Sequence, residues 1–131
     1  MRRVYLAASF AAREEVIRLR EVIEGVTGCK VTSSWLDELP LEAGDAAREE
    51  WEKRARANED RLDIERSDAV VVLTTHQSTT GGLHWETGYA QGSGIPVIIL
   101  GPRVSVFHYQ NDLTLAEDID DLLGLLNDWS F

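Results

Sequence analysis

The sequence predicts a single α/β domain: a three-layer sandwich in which about five mainly parallel strands are flanked by helices, of the flavodoxin or Rossmann-like kind. Three observations carry that expectation. Short apolar runs alternate along the chain with stretches of helical periodicity, the pattern of strand–helix–strand units. Two of the runs, DAVVVLTT at 68–75 and IPVIIL at 95–100, are apolar nearly throughout, as strands covered on both faces must be. The 131 residues, 44% hydrophobic and 27% charged, suffice for one core. No linker, repeat or low-complexity segment divides the chain, so residues 1–131 are read as one domain.

RRVYLAA at 2–8 is the first strand. With the residues around it, MRRVYLAASFAA imitates a short secretion signal, but its apolar part is brief and runs straight into the helical pattern REEVIRLREVIE. That helix repeats Val16, Leu19, Ile23 and Val26 at spacings of 3, 4 and 3, and Gly28 closes it. CKVTSSW is expected as a second strand, and LDELPLEAG as a polar loop broken by Pro40 and Gly44. Asp45 is the expected cap of a long helix through Arg66, with Trp51, Ala55, Asn58 and Leu62 along one side. The apolar strand DAVVVLTT follows, then a glycine-containing loop, a helix around 82–92 and the strand IPVIIL. Residues 101–111 form an irregular connection, DLTLA a short last strand, and the final helix carries Ile119, Leu122, Leu123, Leu126 and Trp129 on one face.

Charge and composition exclude several functions. A formal charge of −10 repels a polyanion, so no nucleic-acid partner is expected, and no run is long enough for a membrane span. The one cysteine, Cys29, rules out an internal disulfide and a cysteine-based zinc site and fits a reducing, cytoplasmic setting. No convincing metal set is present, and no cofactor is expected.

In doubly wound sheets ligands bind outside the carboxyl ends of the strands, where the winding reverses. The residues that follow strands are therefore the ones to weigh: 8–13, 74–86 and 101–109. The stretch TTGGLHWETGYAQG at 79–92 places Glu86 in the first or second turn of a helix, after Gly81 and Gly82 and between Trp85 and Tyr89. An acidic residue there can simply complement the helix dipole, worth about 0.3–1 kcal/mol. Alternatively it serves a ligand, admitted by the glycines and stacked on the aromatics. A second acidic group lies upstream in NEDRLDIERSD, where Asp60 and Asp63 share a helix face and Asp68 opens a strand. Most of these charges read as a solvated face paired with Arg56, Arg61 or Arg66; Asp60 is the one placed to approach Glu86.

VYLAASF, NEDRLDIERSDAVVVL and GGLHWETGYAQGSGIPVIIL, in that order, resemble the nucleoside 2-deoxyribosyltransferase superfamily, which includes nucleotide N-glycosidases. The resemblance runs from about residue 3 to 110, and Glu-x-Gly-Tyr-Ala is its most specific element. It implies a five-stranded parallel sheet, a homo-oligomer with sites near subunit contacts, and a nucleoside or nucleotide as the small-molecule partner. It puts Glu86 in the place of the nucleophile and Asp60 in that of the aspartate that handles the departing base. Tyr5 and Ser9 match pocket positions on the first strand. The residue types suit the chemistry: one carboxylate traps or stabilises an oxocarbenium-like sugar, and a second acidic group protonates the leaving base.

Six residues before the nucleophile, the transferases carry an aspartate that holds the sugar 5′-hydroxyl, and the similar hydrolases a hydroxyl residue. Here that position is Thr80, beside Ser78 and Thr79, which favours hydrolysis of a 5′-monophosphate over base exchange. Against this, Ala11 stands where those hydrolases have an arginine; Arg13 is the nearest substitute. A binding module without turnover is the reading from a different class. His84 is either a ligand contact or a hydrogen-bonded structural histidine. Arg103, Phe107, Tyr109 and Trp35 are weaker candidates around the same crevice, and His76 and His108 weaker again.

Overall fold

The structure, a computed structural model, describes residues 1–38, 48–76 and 81–131. Strands β1 (Arg3–Ala7), β2 (Lys30–Val31), β3 (Ala69–Leu73), β4 (Val97–Leu100) and β5 (Leu113–Ala116) form one sheet. Their order is β2-β1-β3-β4-β5 and every pairing is parallel. Helices α1 (Arg13–Thr27) and α4 (Ile119–Asp128) pack together, as do α2 (Glu50–Glu65) and α3 (Gly82–Gly92). The result is the expected three-layer α/β fold with flavodoxin-type strand order, whose switch point lies between β1 and β3.

β3 and β4 are buried at every residue, which is why their sequences show no alternation. Asp68 joins the starts of β1 and β3: its Oδ2 accepts from the Arg3 amide at 2.8 Å and its own amide donates to the Arg3 carbonyl at 2.8 Å. α1 buries Val16, Leu19 and Ile23 and ends at Gly28, whose φ of 71° is left-handed; Val26 stays exposed. α4 is capped by Asp118, whose Oδ1 accepts from the Asp121 amide at 2.8 Å, and buries Leu122 and Leu126.

Two expectations change. The second strand is only two residues long, because the chain then turns into a 3-10 segment at Ser34–Asp37. Side chains occupy the ladder positions there: Ser33 Oγ accepts from the Leu6 amide at 2.6 Å and donates to the Leu6 carbonyl at 3.2 Å, which also accepts from Trp35 Nε1 at 2.9 Å. The other change concerns α2. Trp51, Ala55, Asn58 and Leu62 do share a side, but all four are exposed, Trp51 at 70%. The side facing the protein carries Glu52, Arg56, Asp60, Asp63 and Ile64. α2 begins at Glu50, and the expected cap Asp45 lies outside the described residues.

Candidate active site

A helix that turns its charges inward must spend them on something. Asp63 Oδ2 accepts from the Ser34 amide at 3.1 Å and from Ser34 Oγ at 2.5 Å, fixing the turn after β2. Asp60, one turn earlier, faces the space where β1 and α3 meet. Tyr5, at 0% exposure, reaches that space from β1, and Glu86 reaches it from the second turn of α3. The structure thus brings Tyr5, Asp60 and Glu86 into one electrostatic group beside the β1/β3 switch point.

Burial raises the Glu86 carboxyl from 4.5 to about 8, with the negative charge of Asp60 adding to the effect. The Tyr5 hydroxyl and the Arg56 guanidinium pull the other way. The Tyr5 phenol is itself pushed well above its ordinary value, first by burial and then by the Glu86 and Asp60 charges. Tyr5 lies close enough to Glu86 to couple with it, yet among the described residues neither the Tyr5 hydroxyl nor Glu86 Oε2 closes a well-formed hydrogen bond. Buried polar atoms in that condition are poised for a ligand's polar groups.

The sequence profile of the family described as Nucleoside 2-deoxyribosyltransferase matches residues 4–119, nearly the whole chain. The chain belongs to the nucleoside 2-deoxyribosyltransferase family. The family is named for an enzyme acting at the N-glycosidic bond. No curated protein matches at the sequence level. Among solved structures, the 2-deoxyribosyltransferase of the psychrotolerant bacterium Bacillus psychrosaccharolyticus is 23% identical, with a TM-score of 0.67 over 92% of this chain and 90% of that one. A conserved protein from Enterococcus faecalis V583 is 19% identical with a TM-score of 0.72, over 98% and 99% of the two chains. The CMP N-glycosidase BcmB of Clostridium botulinum is 16% identical with a TM-score of 0.58, over 96% and 98%. At these identities the likeness establishes a shared fold.

The remaining candidates of this deoxyribosyltransferase-family chain are placed less centrally. Ser9 follows β1 and caps a 3-10 turn, its Oγ accepting from the Ala11 amide at 3.4 Å. Gly81, with φ of 78°, precedes α3, and Gly82 begins it; both are exposed at the mouth of the helix. Ser78 and Thr80 lie outside the described residues. His84 projects from α3 in another direction than Glu86, its ring 5.9 Å from that of His108, and borders a cleft of about 530 Å³ with Thr87, Gln91 and Phe107. His108 is buried, and its Nδ1 accepts from the Val104 amide at 3.1 Å. Arg13 donates to the Leu36 carbonyl at 2.6 Å and pairs with Glu14. Arg103 stacks over Tyr109 at 4.7 Å, and His76 pairs with Glu15. Trp85 and Tyr89 stack on each other at 4.9 Å, and Tyr89 donates to Glu65 of α2 at 2.6 Å. A groove of about 550 Å³ between α1 and α4 contains none of Tyr5, Asp60 and Glu86.

Sequence reasoning missed Arg56, Phe10 and Glu38. Arg56 pairs with Glu38 and sits over the Phe10 ring at 5.9 Å, while Phe10 tilts against Trp35 at 6.1 Å. The signal that would have found Arg56 is its spacing of four from Asp60. Among the described residues no cluster of three or more His, Cys, Asp or Glu is placed to hold a metal ion, and no helix is long and apolar enough to cross a membrane.

Proposed function

We propose that this chain is an enzyme that breaks the N-glycosidic bond of a nucleoside or nucleoside 5′-monophosphate, with Glu86 as nucleophile, Asp60 as proton donor to the leaving base and Tyr5 as orienting group. The observation that carries the reading is the buried Tyr5–Asp60–Glu86 group at the switch point. Glu86 attacks C1′, the C1′–N bond breaks with its electron pair leaving on the base, and a glycosyl-enzyme ester forms. In the resting enzyme Glu86 holds a proton up to about pH 8. Positive charge developing on the sugar favours its ionised form, and the proton released is taken through Asp60 to the departing base.

The second half-reaction divides the family's two outcomes: water gives the sugar, or the sugar 5-phosphate from a monophosphate, and another base gives a new nucleoside or nucleotide. Thr80, standing where the transferases carry aspartate, favours a 5′-monophosphate and water. Gly81 and Gly82 frame an anion site at the start of α3, with Ser78 just ahead of them in the sequence; Ser9 lines the pocket from the turn after β1, and His84 reaches the ligand from the neighbouring cleft. The chain works as a homo-oligomer, a reading supported by the exposed Trp51, Leu62 and Trp85 on α2 and α3.

The test is chromatography of free base after incubation with deoxynucleosides, ribonucleosides and their 5′-monophosphates, with and without a second base, beside Glu86→Gln. Base release from monophosphates in water alone, lost in the variant, is the expected result. A new nucleoside only when a second base is present would assign base exchange instead, and undiminished activity of Glu86→Gln would overturn the nucleophile.

A further inference from the structure

Arg56 is costly to place where it is. Its side chain is only 15% exposed, on the inward side of α2, and a guanidinium taken from water needs compensation. Compensation comes from two directions. Glu38, in the turn after β2, pairs with it, and the Phe10 ring, in the turn after β1, lies under it. Neither partner belongs to the Tyr5–Asp60–Glu86 group, yet both hold Arg56 one helical turn from Asp60 and within electrostatic reach of Glu86.

The geometry points to Arg56 as a positioning residue: the counter-charge, clamped between Glu38 and Phe10, that makes the ionised form of Glu86 attainable beside Asp60. The inference rests on the proposed catalytic role of Glu86 for its consequence, but the electrostatic relationship is independent of that role. The charged and titratable groups around the pair come from four elements. Tyr5 faces Glu86 from β1, and Asp60 faces it from α2. Glu38 faces Arg56 from the turn after β2, and Arg48, which also pairs with Glu38 and with Glu52, lies behind it. Among the described residues that act on Glu86, Arg56 is the one with positive charge, and it opposes both burial and Asp60. Two carboxylates in a desolvated space cannot both ionise without such a charge nearby. Glu38 anchors the guanidinium but also offsets part of its charge, so Glu38 sets how strongly Arg56 acts.

The experiment is a ¹³C NMR titration of the Glu86 side-chain carboxyl in the full chain, assigned with Glu86→Gln, for the parent protein and for Arg56→Gln, Arg56→Lys and Glu38→Gln. The expected result has opposite signs. Arg56→Gln moves the Glu86 midpoint up by at least about half a pH unit, Arg56→Lys largely restores it, and Glu38→Gln moves it down. The alkaline limb of kcat/KM for base release moves with the midpoint. A midpoint unmoved in Arg56→Gln overturns the inference, and so does one that Arg56→Lys fails to restore although the variant folds. If Arg56→Gln does not fold, Glu38→Gln decides alone: a midpoint that stays or rises overturns it. A midpoint that moves while the activity limb stays supports the counter-charge and overturns Glu86 as the nucleophile.

Discussion

Tyr5 of β1 and Glu86 of α3 share one buried space, and each controls the other's ionisation: the phenol favours the ionised carboxyl, and the carboxylate makes the phenol harder to ionise. Asp60 acts on Glu86 in the opposite sense, by adding negative charge. Substitutions at the two positions should therefore move the same titration in opposite directions.

Activity is expected to fall as pH rises through an alkaline limb near 8, where Glu86 of the free enzyme loses the proton that Asp60 would pass to the departing base. Tyr5→Phe removes the hydroxyl that stabilises the anion and moves the limb up. Asp60→Asn removes a negative neighbour and moves it down. Profiles of kcat/KM against pH for the three proteins check this; shifts of the same sign in both variants would contradict the arrangement.

Asp60→Asn has a second effect if the aspartate supplies the leaving-group proton. Loss of a general acid typically costs about 10²–10⁴-fold. That loss should fall on natural bases, which leave poorly as anions, and nearly vanish for a deoxyriboside whose leaving group needs no proton, such as 4-nitrophenolate. Equal losses on both substrates would show that Asp60 does not deliver the proton.

Stability should carry the imprint of Glu86 as well. Its carboxyl keeps a proton up to about 8 in the folded chain but only up to about 4.5 when unfolded. Between those values folding takes up a proton, so this group's contribution is full below pH 4.5 and is lost as pH rises through 8. The whole shift corresponds to something on the order of 5 kcal/mol. Glu86→Gln has no such titration, so its melting temperature should gain on the parent's by several degrees between pH 5 and pH 8.5. A constant difference across that range would mean that Glu86 is not held in a desolvated site.

Much of the fold was legible because the strands write their burial plainly: VVVL and VIIL admit no other reading than a sheet covered on both faces, and Gly28 and Gly82 bound their helices where expected. The failures have one physical source. Around residues 32–35, and along α2, polar side chains do work that sequence periodicity assigns to backbone or to apolar packing. Ser33 takes over the ladder of β1, so the second strand stops early. α2 turns Arg56 and Asp60 inward, so its apolar spacing marks the outside. Asp60 and Glu86 stand out as a pair in the sequence by their placement and by the family resemblance, whereas Arg56 reads there as one more solvated charge.

The outward side of α2 supports the final prediction. Trp51 is 70% exposed and Leu62 40%, and Trp85 on the neighbouring helix is 52% exposed. A tryptophan left in water forgoes much of the burial energy of a large ring, roughly 25 cal/mol for each Å² kept wet. Two tryptophans and a leucine exposed on adjoining helices are a surface that a second subunit would cover. Trp51→Glu combined with Leu62→Glu removes the apolar contact without touching the inward residues Arg56, Asp60 and Asp63. Light scattering coupled to size-exclusion chromatography should then report a smaller species than the parent's, while the far-ultraviolet circular dichroism stays the same. An unchanged assembly mass would place the subunit contact elsewhere, and a parent protein that is itself monomeric would remove the oligomer from the proposal.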